Sequence, residues 1–148
     1  MQTQLLNQAG KQRTFAVILE TGDEVMACLQ RFAKDERVFA AQVTAIGALS
    51  DAVLKYYDWD RKKYLALPVP EQIEVASLLG DIAEDPSGEP SVHIHVVLGK
   101  RDGTAMAGHL GEAHVRPTLE VIITESPAHL KKVKDPQSGL ALIRPRSQ

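Results

Sequence analysis

Four of the chain's five histidines, His93, His95, His109 and His114, fall within residues 91–114. Side chains two apart on an extended strand point to the same side, so His93 and His95 project together with about 7 Å between their Cα atoms. Val92, Ile94 and Val96 take the other side. A turn across Gly99 and Gly103 brings a second strand back, and its length decides whether His109 joins the pair. A three-residue loop over 100–102, or a five-residue loop over 99–103, sets His93 opposite His109 and puts three imidazoles on one face. A two-residue Asp102-Gly103 turn pairs His95 with Leu110 and sends His109 to the opposite face. Three convergent imidazoles suit a divalent ion such as Zn²⁺, with a fourth position open to water or a small ligand. Such an ion could polarise a carbonyl, activate water, or simply hold strands together. A His-x-His pair on a sheet also occurs as a half-exposed or hydrogen-bonded pair without any ion.

Glu120 is the second residue that breaks its surroundings, because Leu119, Val121, Ile122 and Ile123 flank it. It is the candidate catalytic residue: a carboxylate there could orient a metal-bound imidazole or act as general base beside a metal-bound water. The competing reading is an edge-facing carboxylate, or a partner for Arg116 or for a lysine at an interface. His114 has the parity of the face opposite His93 if its strand runs on unbroken, and His129 sits in a tail rich in proline and lysine. Both read as surface residues. The chain contains no Walker loop, no Gly-x-Ser-x-Gly and no paired-cysteine zinc pattern.

The elements that must position these residues follow from periodicity. Residues 1–13 are polar without a clear period and read as a flexible N-terminal arm; residues 14–148 form a single domain. Residues 14–20 are apolar on both parities, as in a strand covered on both faces. Thr21 with Glu24 fits a capping box, and Val25, Cys28, Leu29, Phe32 and Ala33 recur at helical spacing. Cys28 lies on that stripe as a buried small hydrophobe. Residues 38–49 read as a strand with a bulge or close backbone contact at Gly47. Residues 52–58 and 63–69 flank a polar turn at 59–62, the pattern of a hairpin, with Trp59 as a turn-packing aromatic. A long strand over 73–83 bends at Gly80, residues 84–90 are a loop by composition, a strand follows over 116–125, and residues 139–143 make a short last strand. One main helix among many strands gives an α+β fold dominated by antiparallel sheet.

At 148 residues and 44% hydrophobic, the chain supports one core. A net charge of −2 lacks the positive field that sequence-independent nucleic-acid binding uses, although a local basic patch on an oligomer remains compatible with it. The lone cysteine can form no internal disulfide, the N-terminus has no secretory pattern, and no apolar run reaches the ~20 residues of a membrane span. The compartment expected from these features is the cytoplasm, with no membrane partner.

In order along the chain, RTFAVIL at 13–19, the helix, TAIGAL at 44–49, YYD at 56–58, IEVASLLGDI at 73–82, HIH at 93–95, GHL at 108–110, LEV at 119–121 and residues 135–140 resemble the PPC domain shared by plants and prokaryotes. The resemblance implies an α+β fold that assembles as a homotrimer. It also implies a metal site, at the positions of His93, His95 and His109, of the kind some prokaryotic members possess. Ala107 departs from it, since two glycines usually precede the histidine, and a methyl group there could crowd the strands or a ligand. In plants the domain accompanies a short Arg-Gly-Arg-Pro arm that enters the minor groove; Arg144-Pro145-Arg146 is only a fragment of that chemistry. The residues and the resemblance together point to a trimer with a His-lined metal or small-ligand site. The alternatives are a DNA-associated regulatory protein, a metal-dependent hydrolase or lyase using Glu120, and an assembly platform.

Overall fold

The computed structural model describes residues 1–145. Its elements are β1 Gln2–Ala9, β2 Gln12–Glu20, α1 Val25–Asp35, β3 Ala40–Asp58, β4 Lys63–Val69, β5 Ile73–Glu84, β6 Pro90–Gly99, β7 Ala105–Glu125, β8 Lys132–Lys134 and β9 Ala141–Ile143. The seven larger strands run in the order β1-β2-β7-β6-β5-β3-β4, and β7 also pairs with β3. The ladders β3–β5, β5–β6, β6–β7 and β7–β3 therefore close a ring, with every pairing antiparallel. A closed ring leaves these four strands without a common free edge. The expected α+β architecture, a large antiparallel sheet with one helix, is the one observed. No helix among the described residues is long and apolar enough to cross a membrane.

The core follows the alternation of the strands. Phe15, Val17 and Leu19 on β2, Ile94, Val96 and Leu98 on β6, and Leu119, Val121 and Ile123 on β7 are buried. The α1 stripe of Val25, Cys28, Leu29, Phe32 and Ala33 packs into the same cluster, as its spacing predicts. Phe32 meets Phe15 edge to face at 5.2 Å between ring centroids. The cap differs from the expected box. Glu24 is itself the N-cap, its carboxylate accepting from the Met26 and Ala27 backbone N–H groups, while the Thr21 hydroxyl donates to the Pro117 carbonyl. The Glu24 carboxylate also accepts from the Ala113 N–H, so one side chain caps α1 and ties it to β7.

Three sequence expectations change. Residues 1–13 are not a loose arm: β1 pairs antiparallel with β2, and the N-terminal ammonium lies 2.8 Å from Asp23. Backbone pairing needs no buried side chain, and all eight β1 residues are exposed, so hydropathy carries no trace of the strand. The segments read as separate strands at 38–49 and 52–58 are one strand, β3, and the histidine-bearing return strand is continuous with 116–125 as β7. Register shifts between Ala45 and Gly47, Gly47 and Leu49, and Leu49 and Asp51 break the alternation, so one bent strand looks like two. Gly80 lies within an unbroken run of the β5–β6 register instead of at a bend.

Gly47 and Gly80 serve close backbone approach. A Cβ at Gly47 would overlap the Thr118 carbonyl oxygen, and one at Gly80 would overlap the His93 carbonyl oxygen. Neither carbonyl can rotate away without losing its place beside the neighbouring strand. Gly80→Ala is therefore expected to destabilise the fold by about 1–3 kcal/mol, the range for overpacking a tight site. Urea denaturation checks this; an unchanged midpoint would show that β5 and β6 can separate at no cost.

Candidate metal and ligand site

The ring's cross-strand register gathers polar side chains from neighbouring rows on the face away from the core. Asp81 on β5 pairs with His93 on β6, His95 pairs with His109 on β7, and His109 pairs with Lys55 on β3. Tyr57, two residues beyond Lys55, pairs with Tyr64 on β4. Because paired residues share a face and i, i+2 residues share a face, these ladders alone gather the cluster.

The turn that brings His109 home has five residues, the length of one of the expected loops, but lies one residue later in the chain. β6 ends at Gly99 and β7 begins at Ala105, so the loop is 100–104 and His95, not His93, stands opposite His109. Asp102 braces the turn by accepting from both the backbone N–H and the hydroxyl of Thr104, and Gly103 supplies the positive φ of 84°. The register slips by two, an even number, and the three histidines keep a common face. Ala107 is exposed, and at the neighbouring Gly108 a Cβ would come within 3.3 Å of the Lys55 carbonyl oxygen.

One ring nitrogen from each of His93, His95 and His109 can be chosen so that all three lie within 4.8 Å of one another. The ring centroids are 5.0 to 5.4 Å apart. His93 Nδ1 lies 3.1 Å from Asp81 Oδ2, which orients the ring and leaves Nε2 as the lone-pair nitrogen when Nδ1 carries the proton. The other carboxylate oxygen, Asp81 Oδ1, is buried without a hydrogen-bond partner and faces the Lys132 ammonium at 3.6 Å. His109 Nδ1 is likewise buried and unpartnered. A buried polar nitrogen left unmatched beside two further imidazoles fits a metal, since coordination satisfies the lone pair that no protein donor reaches.

Burial, then the charges of the neighbouring histidines, Lys55 and Lys132, pushes the His109 pKa down to about 4. Burial and His93 also lower that of His95. Burial raises Asp81, but the hydrogen bond from His93 and the charge of Lys132 outweigh it, and the net direction is down. Near neutral pH the site therefore offers His109 as uncharged imidazole, the form that ligates metal.

A cavity of about 790 Å³ opens over these residues, and Tyr57, Tyr64, Leu140 and Leu142 are among those lining it. The Tyr57 hydroxyl donates to the Ser138 carbonyl at 2.5 Å, and the buried Lys132 ammonium donates to Ser91, so the β8–β9 segment is held against the opening. Lys55, Tyr64, Asp81 and Lys132 escaped the sequence reading. Asp81 carries the same signal that singled out Glu120, a carboxylate among Leu78, Leu79, Ile82 and Ala83; the lysines carry none.

Glu120 does not line this cavity. It is exposed on the outer face of β7 between Ile18 and Ile46, in a shallow groove with Leu79 and Ile122. His114 is half-exposed and outward-facing because the β3–β7 register shifts between Leu110 and Glu112, which reverses the parity expected from a continuous strand. It pairs with Asp51 at 2.8 Å. His129 packs on Phe39 and lies 3.6 Å from Glu84. Trp59 belongs to the β3–β4 turn with the Lys62 ammonium over its ring. Arg144 pairs with Asp135, and Arg146 lies outside the described residues.

The hydrogen bond to Asp51 raises the His114 pKa. This pairing stabilises the fold below the unfolded value of ~6.5 and fades as pH rises through the folded value. An NMR titration of the metal-free chain is expected to show His109 titrating near 4 and His114 above ~6.5, with Asp51→Asn returning His114 towards ~6.5. A His114 midpoint unmoved by that substitution would remove the pairing from the account.

The profile of the Plants and Prokaryotes Conserved (PCC) domain matches residues 6–127. A metal-containing protein of Archaeoglobus fulgidus is 34% identical, with 89% of this chain and 93% of that chain covered and a TM-score of 0.81. A plant- and prokaryote-conserved protein of Pyrococcus horikoshii is 30% identical over 92% and 94%, with a TM-score of 0.83. A protein of Ralstonia eutropha JMP134 named as a candidate DNA-binding protein is 28% identical over 89% and 91%, with a TM-score of 0.82. Curated proteins contain no match.

Proposed function

The chain belongs to the Plants and Prokaryotes Conserved (PCC) domain family, and we propose on that footing that His93, His95 and His109 bind a divalent metal ion, zinc first, beneath a cavity that admits a small ligand. The observation that carries this reading is the convergence of three ring nitrogens, one each from His93, His95 and His109, within 4.8 Å of one another; His109 Nδ1 is in addition buried without a partner. Asp81 holds His93 in orientation, and His109 is largely uncharged at neutral pH. The metal named for the Archaeoglobus fulgidus relative supports the same reading. A divalent ion bound there supplies a Lewis acid with a position left for an oxygen ligand.

Assembly as a homotrimer is part of the proposal. Ile46, Leu79 and Ile122 are exposed side by side around Glu120 on the outer sheet face, and an apolar strip on adjoining strands is the kind of surface an interface covers. Two other readings find less support. DNA association is suggested by the name of the Ralstonia eutropha relative, but a net charge of −2 opposes it. Hydrolase or lyase chemistry needs a base beside the ion; Glu120 stands outside the cavity, and Asp81, the one carboxylate lining it among the described residues, is engaged by His93 and Lys132.

Elemental analysis of untagged protein is expected to find ~1 zinc per chain, and each of His93→Ala, His95→Ala and His109→Ala is expected to lower zinc affinity at least about tenfold by removing one of three ligands. Sub-stoichiometric metal in the wild type, or full retention in the variants, overturns the reading. Light scattering is expected to give the mass of three chains, with a monomer contradicting the assembly.

A further inference from the structure

The charges around the cavity do not balance. Its lining carries Lys55, Lys132 and the three histidines against a single carboxylate, Asp81. Asp81 Oδ1 lies 3.6 Å from the Lys132 ammonium, which also donates to Ser91. Lys55 is different: among the described residues no carboxylate lies within ion-pair distance of its ammonium, although it is half-buried and stands opposite His109 in register. An ammonium partly withdrawn from water and left without a counter-charge beside a group of cation-binding imidazoles is unfavourable, and an anion relieves it. A bound divalent ion would add two further positive charges to the same space.

The walls select what kind of anion. Tyr64 lies over the His109 ring at 5.1 Å with a 31° tilt, Tyr57 meets Tyr64 at 5.1 Å, and Leu140 and Leu142 of the C-terminal segment line the same cavity. These walls offer flat and apolar surface above the cationic floor. About 790 Å³ is far more than an ion and its water fill, and lies within the range of small-molecule sites.

We propose that this cavity binds a small aromatic carboxylate, its carboxylate set between the histidine cluster and Lys55 and its ring against Tyr57 and Tyr64. The inference rests on the metal reading for part of the charge, but Lys55 and the aromatic wall are independent of it. Lys55 is here a binding residue, and Tyr64 sets the preference for a planar body.

Calorimetry on the zinc-loaded full chain tests this with benzoate as the anionic probe, benzyl alcohol as its neutral counterpart and inorganic phosphate as a probe of charge alone. Benzoate is expected to bind, benzyl alcohol to give no heat, and phosphate to bind at least about tenfold more weakly, because it gains nothing from the aromatic wall. Lys55→Met is expected to weaken benzoate about tenfold, with zinc content and thermal midpoint unchanged, while Lys55→Arg retains binding. Absence of benzoate binding, equal binding of phosphate or benzyl alcohol, or a Lys55→Met affinity equal to wild type overturns the inference. The same titration on metal-free protein separates the two readings. If zinc does not load, benzoate binding that still depends on Lys55 keeps the ligand inference while the metal reading fails; no binding to either form sinks the ligand inference whatever the zinc result.

Discussion

Everything at the histidine cluster depends on the backbone ladder by which β7 pairs with β6 at one end and with β3 along most of its length. That double pairing closes the ring of strands and places His95, His109 and Lys55 in adjacent register positions. Hydrogen-bonded strands lie about 4.8 Å apart, close enough for imidazoles on neighbouring strands to reach a common point. Each histidine is thus positioned by main-chain bonds that are indifferent to its side chain. The arrangement is set before any ion or ligand contributes.

The same closure explains where strain and polarity are tolerated. Strands that bend around a small ring must break alternation somewhere, and the register shifts along β3 at Gly47 and along β7 near Gly111 are those breaks. At Gly47 and Gly80 the absence of a Cβ lets a neighbouring carbonyl approach. Gly80 sits beside Asp81 and against the backbone of His93, so packing and site geometry meet at one position. The buried, unmatched Asp81 and His109 atoms lie on the outer side of this ring, where the β8–β9 segment covers them.

The electrostatics run in one direction. Asp81 is held charged by His93 and Lys132 against the tendency of its burial, whereas His109 is kept neutral by burial and by its cationic neighbours. Both effects favour a cation at the imidazoles and leave Lys55 as surplus positive charge further out. A site built for the metal alone has no use for an unpaired ammonium or for an aromatic wall. Those features fit a ligand that carries a negative charge and a flat apolar body.

Residue alternation was sufficient to identify the helix, the strand character of most segments, the antiparallel class and the shared face of His93 and His95, because burial of one face imposes a period that a single segment records. It was also enough to bring His109 under consideration. The actual pairing of His95 with His109 depended on where the five-residue turn braced by Asp102 is placed, a choice among loops that the residues alone leave open. Strand β1 was invisible because edge pairing uses the backbone and buries no side chain. Lys55, Tyr64, Asp81, Lys132 and the three histidines come from six different strands, and only the tertiary pairing of those strands makes them neighbours. Glu120 illustrates the converse: an anomalous carboxylate in an apolar run marks a special position, but only the tertiary structure decides whether it faces a site or an exposed sheet, because the sequence records period and composition, not which strand lies alongside.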